Sequence, residues 1–512
     1  MDIKPYMKNF GFGHRDSRHL ISERDGALVM TFAPEGGASF MPSAGQGGGG
    51  LEICLIYDGQ PESYEYSATQ SLIEMKAKHG SARIALDAGA SALRFEGEGV
   101  ALRLDAKTAS MGVTSLNTGS GVELAIGGGK YIFAPIRGSV KFDDTWLLAQ
   151  FHSVTPVLDL EPEGGKFELA AYELAADAQP PELTKTLAQC AAESETEFKA
   201  FCDGLVRLPA QWDDVFMNIA YLLWFNRKKL PDGKTVIVGN KAQSPDTDAR
   251  LQTIASLVFT DADTALEMIL ALPPAEPPVQ AIAVLRLLDA GLFARASRET
   301  VYDFFNALNA SARWWYENRS SHDGRTPFYA YRYETGIASP EVFKAGEPVV
   351  SPDLGAYCVL MSEALSRLAD LVLDGGETAK WRERSGEQLR ALISDTWNGE
   401  AFTGVALYTG ERSERDPLLS YMPLVLGRRL PVGIVDKLAE DIDGQALRSA
   451  MGMLAVAGLR DAGKDELAER LAREALEDAR SGGVECPFYG AALLAICNGA
   501  AIANGICGNN GG

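Results

Sequence analysis

The stretch PDLGAYCVLMSEALSRLADLVLD, residues 352–374, decides the fold class of the larger part of this chain. Its apolar residues recur every three to four positions, which is the spacing of one face of an α-helix. The next stretch, ETAKWRERSGEQLRALISDT at residues 377–396, repeats that period after an interruption of only two residues. The pair therefore predicts two consecutive helices joined by a short connection.

The same period continues through most of the chain after residue 193. It predicts ten further helices, at 193–206, 211–228, 246–258, 262–272, 278–291, 297–317, 432–442, 445–461, 464–480 and 487–503. Twelve helices joined by alternating short and long loops are what two concentric rings of six require. We therefore expect an (α/α)6 toroid whose long loops build a pocket at one mouth. An open helical solenoid is the alternative, although no recurring sequence period of about 33 to 47 residues is visible.

The N-terminal part of the chain has a different pattern, in which short segments alternate apolar and polar side chains. Examples are LEICLIY at residues 51–57 and VALRL at residues 100–104, and clusters of Gly, Asp and Asn separate such segments. This pattern predicts an antiparallel β-sandwich, since one face of each strand packs inward. We predict a β-sandwich domain at 1–178, a proline-containing linker at 179–194 and a catalytic toroid at 195–512.

The overall charge excludes several classes of partner. The formal net charge is −21 and the sequence pI is near 4.8. Such a surface repels phosphate backbones and anionic membranes, so we expect no binding to nucleic acid or membranes. The sequence shows neither an apolar signal segment nor a run long enough to span a bilayer, which favours a cytoplasmic protein.

Cysteine and histidine usage argues against disulfides and metals. The seven cysteines include no Cys-x-x-Cys pair, and the five histidines form neither His-x-His nor His-x-x-x-His. An odd number of scattered cysteines does not indicate a disulfide framework, and a zinc site usually shows closely spaced Cys or His pairs. We therefore expect reduced thiols, no metal and no cofactor.

The stretch between the predicted helices at 297–317 and 352–374 is rich in aromatic and charged residues. It includes Trp314, Trp315, Tyr333 and several arginines and carboxylates. Sugars present apolar ring faces together with hydroxyl groups, so their sites combine aromatic side chains with polar ones. We predict that Trp315 and Tyr333 contact a carbohydrate, and we expect one of the two tryptophans to cap the core instead.

Several motifs in the helical part, between about 205 and 503, resemble the trehalase and processing α-glucosidase group of glycoside hydrolases, including mannosylglycerate hydrolases. The motifs are Arg319-Ser-Ser-His-Asp-Gly324, Glu334-Thr-Gly-Ile-Ala-Ser-Pro340, Val350-Ser-Pro-Asp-Leu-Gly-Ala-Tyr357, Trp397-Asn-Gly-Glu-Ala-Phe402 and Gly482-Gly-Val-Glu485. Their order along the chain is that of the family. The resemblance implies an inverting hydrolase of a small α-glycoside or oligosaccharide.

The resemblance also assigns catalytic roles. An inverting enzyme needs a general base that activates water and a general acid on the opposite side, roughly 6.5–9.5 Å away. Glu485 matches the family's base, although a helix N-terminal charge is the alternative for this residue. The family's Trp-Asp, which carries the acid, is absent here. Glu334 is therefore the first candidate for the acid, followed by Glu341 and Asp323.

Further residues are predicted to bind substrate. Asp248 occupies the position of the family's sugar-binding Asp, with Thr247 in place of the family's Trp, although an N-cap is the commoner role for such an Asp. The other predicted contacts are Asn240, Lys241, Arg250, Tyr421, Phe488 and Tyr489. Arg250, Arg319 and Arg332 are either surface ion-pair partners or ligands for hydroxyl or carboxylate groups. An anionic sugar is expected if two of them converge.

Two other functions agree with the same pattern. A toroid can carry a lyase or epimerase, and a lyase without histidine would use Tyr421 or Tyr489. A carbohydrate-binding protein without activity is the other alternative, because the family's acid motif is missing. In each case the expected partner is a small carbohydrate, and the sequence leaves open whether the protein forms a homo-oligomer.

Overall fold

The computed structural model describes most of the chain. The described residues are 1–13, 19–32, 50–106, 114–117, 121–126, 129–147, 152–174, 178–229, 235–239, 254–260, 262–270, 277–291, 293, 296–321, 324–336, 341–372, 375–442, 444, 447–482 and 486–497. They fall into two compact units. One unit comprises Met1–Asp203, Ala220–Lys229 and Val238–Asp246, and the other comprises Gly204–Ile219, Leu230–Ile237 and Thr247–Gly512.

The first unit contains an antiparallel sheet of seven strands, in which β1, β2, β3, β9, β14 and β13 lie side by side and β4 pairs with β3. The strands are β1 (His19–Arg24), β2 (Ala27–Phe32), β3 (Leu51–Tyr57), β4 (Gln60–Glu62), β9 (Ala101–Asp105), β13 (Ser139–Leu147) and β14 (His152–Glu161). In β3 buried side chains alternate with partly exposed ones from Leu51 to Leu55. One face of this strand is therefore covered, as the sequence alternation predicts.

A second antiparallel sheet of eight strands has the order β10, β11, β12, β15, β8, β7, β6 and β5. The strands are β5 (Tyr64–Ala68), β6 (Leu72–Ala77), β7 (Ser81–Asp87), β8 (Ala92–Glu98), β10 (Thr114–Asn117), β11 (Val122–Ile126), β12 (Gly129–Arg137) and β15 (Lys166–Leu174). The antiparallel sheets predicted for the N-terminal part are confirmed.

One helix, α1 (Leu187–Asp203), belongs to the same unit as these strands. It begins within the predicted linker, six residues before the predicted helix start at residue 193. The reason is packing, because Leu187 and Cys190 are buried in a cluster with Ala85 of β7. The helix therefore begins nearer the N-terminus than the apolar spacing of the sequence predicted.

Ten further helices follow in the described residues. They are α2 (Asp213–Phe225), α3 (Ala262–Leu270), α4 (Gln280–Asp289), α5 (Arg298–Asn318), α6 (Pro352–Val372), α7 (Gly375–Thr396), α8 (Val432–Glu440), α9 (Ala450–Asp461), α10 (Asp465–Gly482) and α11 (Pro487–Cys497). Short strands also occur at Arg227–Lys229, Thr235–Ile237, Val349–Val350 and Val405–Ala406. The helical region predicted after the strands is confirmed, with helix ends that differ from the predicted ones by a few residues in the described helices. Most of the predicted helix at 246–258 lies outside the described residues.

The ends of the long helices follow local chemistry. The side chain of Ser297 accepts a hydrogen bond from the backbone N–H of Thr300, which caps α5. Pro352 is the first residue of α6, a position where its missing N–H costs nothing. Helix α6 is buried along nearly its whole length, so it lies inside the helical unit, whereas α10 is apolar on one face only.

Candidate active site

Backbone hydrogen bonds join described residues of the segment between α5 and α6. The N–H of Phe328 donates to the carbonyl of Arg319 at 2.9 Å, which closes the segment near its start. Tyr329 and Val349 exchange two backbone hydrogen bonds, each 2.9 Å long. The described residues between these points, 330–336 and 341–348, therefore lie in a segment whose two ends are joined, and we call them the aromatic loop.

Helix α7 supports the turn that precedes the aromatic loop. The hydroxyl of Thr326 donates to Oδ2 of Asp395 at 2.8 Å, and Nε2 of Gln388 donates to the carbonyl of Arg325 at 2.7 Å. Arg384 donates to the carbonyl of Gly324 and places its guanidinium 4.3 Å from the centre of the Tyr316 ring. Three side chains of one helix thus fix this turn.

Glu334, the first candidate for the general acid, lies in the aromatic loop and is tightly held. Its Oε1 accepts hydrogen bonds from Nε and Nη2 of Arg319, at 2.8 and 2.7 Å. Its Oε2 accepts from the backbone N–H of Ala330 at 2.6 Å and more weakly from that of Tyr331 at 3.4 Å. Both carboxylate oxygens are therefore engaged by the protein, and catalysis through Glu334 would require the contact with Arg319 to open.

The two tryptophans at the end of α5 have different surroundings. Trp315 is completely buried, with its ring 5.9 Å from Tyr329 and 5.1 Å from Trp314, both in edge-to-face geometry. Trp314 is only partly buried, and the guanidinium of Arg319 lies 5.2 Å from its ring. Trp315 thus fills the core, and Trp314 is the one of the two with a surface that a ligand could reach.

Tyr333, predicted to contact a carbohydrate, is on the surface. Its side chain is 78% exposed, and that of Tyr331 is 54% exposed. The two rings stack with their centres 6.3 Å apart and their planes 27° from parallel. Between them in sequence, Arg332 forms an ion pair of 3.0 Å with Glu347.

Glu341 begins a short 3-10 helix, Glu341–Ala345, at the end of the aromatic loop. Its carboxylate contacts the ammonium group of Lys344, and its backbone N–H donates to Oδ2 of Asp416 at 2.7 Å. Asp416 is buried and also accepts from the N–H groups of Leu418 and Leu419. The side chain of Glu341 is thus partly exposed, and its backbone is fixed by Asp416. Among the described contacts, the partner of its carboxylate is the ammonium group of Lys344.

Asp353, in the first turn of α6, is a buried carboxyl group that the sequence reading did not single out. Ser351 donates its hydroxyl to Oδ1, and Tyr329 donates its hydroxyl to Oδ2 at 2.8 Å. Burial raises the pKa of Asp353 to about 6, although these hydrogen bonds act in the opposite direction. The available signal was its position directly after Pro352, where an acidic residue faces the positive end of a helix.

Glu485, the predicted general base, lies outside the described residues. The chain is anchored on both sides of it. Before it, Arg480 forms two hydrogen bonds with Asp214, at 2.8 and 2.7 Å, which lower the pKa of that carboxyl. After it, Gly490 of α11 lies so close to Ile219 that an added Cβ would be 2.8 Å from the Ile219 side chain.

The remaining predicted contacts divide into two groups. Asn240, Lys241, Asp248, Arg250 and Asp323 lie outside the described residues. Phe488 is completely buried in α11, and Tyr421 is buried with its hydroxyl donating to the carbonyl of Asp441 at 2.5 Å. Tyr489 is partly buried. Phe488 and Tyr421 therefore serve packing in this conformation, and Tyr333, Glu334 and Glu341 are the predicted residues that share one loop.

The described residues contain no group of three or more His, Cys, Asp or Glu side chains arranged to hold a metal ion. Cys54, Cys190, Cys202, Cys358 and Cys486 are free thiols. No helix in the described part of the chain combines the length and apolar character needed to cross a bilayer.

Comparisons with known proteins show what part of the chain is similar to. Residues 273–457 match the family model of the mannosylglycerate hydrolase MGH1-like glycoside hydrolase domain. This segment includes the aromatic loop, α6 and α7. It does not include Glu485, and no curated protein matches the chain.

Two of the solved structures that are similar to this chain, both of glycoside hydrolases, share its fold. A bacterial glucoamylase complexed with acarbose is similar with a TM-score of 0.56 and 11% identity, over 97% of this chain and 94% of that one. The GH92 family glycosyl hydrolase ccman5 has a TM-score of 0.52 and 11% identity, over 91% and 77% of the two chains. The GH63 mannosylglycerate hydrolase from Thermus thermophilus, in complex with Tris, has a TM-score of 0.45 and 15% identity, over 54% and 98%.

At such identities the structural likeness shows the fold alone, namely strands followed by helices over almost the whole chain. The resemblance to a family of glycoside hydrolases rests on the sequence match of residues 273–457, about a third of the chain. That match confirms the predicted resemblance to glycoside hydrolases that include the mannosylglycerate hydrolases. Residues 273–457 thus resemble the mannosylglycerate hydrolase MGH1-like glycoside hydrolase domain.

Proposed function

We propose that the protein is an inverting glycoside hydrolase that cleaves a small α-glycoside or oligosaccharide. The observation that carries the proposal is the family match of residues 273–457, which spans the loop that bears Glu334 and Glu341. We further propose that the helices close into an (α/α)6 toroid preceded by a β-sandwich, as the order of elements and the likeness to the glucoamylase suggest.

The proposed reaction uses two carboxyl groups. The acid donates a proton to the glycosidic oxygen as the bond to the anomeric carbon breaks, and the base removes a proton from water as that water attacks the opposite face. We assign the base to Glu485 and the acid to the aromatic loop. The products are a free alcohol and a sugar of inverted anomeric configuration.

Glu334 stays the first candidate for the acid, but its carboxylate must first be released from a protein partner. Arg319 occupies Oε1, so substrate hydroxyl groups would have to draw the guanidinium away before Glu334 could donate a proton. Glu341 needs less rearrangement, because its carboxylate contacts only the exposed, flexible Lys344 side chain among the contacts that the structure describes. Asp323 is the third candidate.

The sugar and its linkage are proposed only by class. The family is named for mannosylglycerate hydrolase, and the similar glucoamylase is complexed with acarbose. The name of the family indicates a small glycoside as the class of substrate. We also expect a cytoplasmic location, which the free thiols of the described cysteines support.

Carbohydrate binding without turnover is the second candidate function. It is favoured by Ile337 and Ala338, which stand where the family carries Trp-Asp. A lyase that uses Tyr421 as its base is less well supported, because the hydroxyl of that residue already donates to a backbone carbonyl. The same kinetic experiment distinguishes these cases.

The experiment compares two substrates with different leaving groups. An α-glycosyl fluoride departs without protonation, whereas a disaccharide of the same sugar needs the acid. Glu485→Gln should abolish turnover of both substrates, because water is no longer activated. Replacement of the true acid, tested with Glu334→Gln, Glu341→Gln and Asp323→Asn, should slow the disaccharide at least 100-fold and the fluoride far less.

Glu411→Gln is the matched control, because Glu411 is an exposed carboxylate in the same domain whose side chain has no role in the proposal. It should leave both rates unchanged. If Glu485→Gln retains the turnover of wild type on both substrates, the assignment of the base is wrong. If the wild-type protein binds disaccharides and hydrolyses neither substrate, the binding protein is the correct alternative.

A further inference from the structure

Two tyrosine rings of the aromatic loop remain on the surface, although aromatic side chains usually bury most of their area. Tyr331 and Tyr333 are 54% and 78% exposed, and they stack on each other rather than on the core. Contiguous exposed apolar surface in a soluble domain generally marks a binding site. We call this pair the tyrosine platform.

The backbone beneath the tyrosine platform is fixed. The carboxylate of Glu334 holds the N–H groups of Ala330 and Tyr331, and Gly336, with φ of 65°, closes the turn by donating its N–H to the carbonyl of Tyr333 at 3.1 Å. A ligand that lies on the rings therefore does not have to order a flexible loop, which reduces the entropic cost of binding.

The charges beside the tyrosine platform are already balanced. Arg319 is paired with Glu334, and Arg332 is paired with Glu347 at 3.0 Å. Each guanidinium thus has a carboxylate partner within the protein. An anionic ligand would have to compete with these partners, whereas the apolar face of a neutral sugar ring needs only the exposed aromatic surface.

We propose that the tyrosine platform binds the ring face of a neutral sugar unit, one that extends beyond the bond that is cleaved. The site then favours a neutral oligosaccharide over a glycoside with a short anionic aglycone such as glycerate. The inference rests on the proposed function, because that function defines which bond is cleaved. Binding to the tyrosine platform can nevertheless be measured without turnover.

The test is calorimetry on the full chain carrying Glu485→Gln, so that substrate persists. The probes are the neutral trisaccharides maltotriose and α-linked mannotriose, and the anionic mannosylglycerate. Tyr333→Ala and Tyr331→Ala, each added to this background, should weaken trisaccharide binding about tenfold, equivalent to about 1.4 kcal/mol. Binding of mannosylglycerate should change less than twofold.

Tyr302→Ala is the matched control, since Tyr302 is 46% exposed and lies about 24 Å along α5 from Asn318 at 1.5 Å per residue. It should leave every affinity unchanged. The inference fails if Tyr333→Ala binds the trisaccharides as tightly as its background. It also fails if mannosylglycerate binds more tightly than the trisaccharides, or if the tyrosine substitutions abolish self-association of the protein instead of sugar binding.

The two proposals can fail separately. Wild-type protein that hydrolyses glycosides, combined with tyrosine variants of unchanged affinity, overturns the tyrosine platform alone. Protein that binds trisaccharides through the platform but hydrolyses nothing overturns the hydrolase alone. Wild-type protein that neither binds nor hydrolyses any of these sugars overturns both.

Discussion

The buried carboxyl group of Asp353 provides a quantitative test of the structure beneath the aromatic loop. Burial raises its pKa from 3.8 to about 6, so the folded chain binds a proton more readily than the unfolded chain between these values. The stability of the fold therefore falls as pH rises through this window. This rise in pKa corresponds to a loss of about 3 kcal/mol in the free energy of unfolding, and the whole loss is present above about pH 7.

The perturbation is Asp353→Asn, which removes the charge and keeps groups that can hydrogen-bond to Ser351 and Tyr329. Urea unfolding of wild type and variant from pH 4 to 7.5, followed by tryptophan fluorescence, gives the free energy of unfolding of each. Five of the seven tryptophans lie in the unit that contains Asp353, so the signal reports on that unit.

The quantity to compare is the difference between the two proteins, because other carboxyl groups titrate in both. Relative to the variant, wild type should lose about 2.4 kcal/mol between pH 4 and 7, because a small part of the effect is already present at pH 4. Asp370→Asn, on an exposed position of the same helix, should give a constant difference. If the free energies of unfolding of wild type and Asp353→Asn instead differ by a constant amount over this pH range, burial does not raise the pKa of Asp353, and the reasoning is refuted.

Two further predictions concern packing. Gly490→Ala should lower stability by about 1–3 kcal/mol, because its Cβ would overlap the Ile219 side chain, whereas Gly433→Ala meets open space in a helix and should be neutral or stabilising. Trp315→Ala should cost about 3–5 kcal/mol and Trp314→Ala much less, since only the former is completely buried. Thermal melts of the four variants check both, and equal losses within either pair would contradict the packing described.

Sequence periodicity predicted the elements well where a single face or a whole helix is buried. Residues 352–374 were predicted as helical, and α6 spans Pro352–Val372. The alternation in residues 51–57 likewise corresponds to the burial of β3. In both cases the signal is local, because residues at the spacing of the helix or strand lie on the same face of one element.

The contacts of the candidate site were less accessible to sequence reading. Nothing local shows that Arg319 binds the carboxylate of Glu334, fifteen residues later, because that contact depends on how the intervening chain folds back. The same holds for Asp353, whose carboxyl group accepts a hydrogen bond from the hydroxyl of Tyr329, 24 residues earlier in the chain. The prediction that Trp315 contacts a carbohydrate likewise did not anticipate its complete burial, because the sequence does not show which of the two rings the packing of α5 turns inward.

The measurement that tests the central claim most directly is the anomeric configuration of the first product. Proton NMR during hydrolysis of an α-linked disaccharide distinguishes the two anomers before they equilibrate. If a carboxylate-activated water attacks opposite the departing oxygen, the β-anomer should appear first, and Glu485→Gln should suppress it. Early appearance of the α-anomer, or of an unsaturated sugar, would contradict the proposed inverting mechanism.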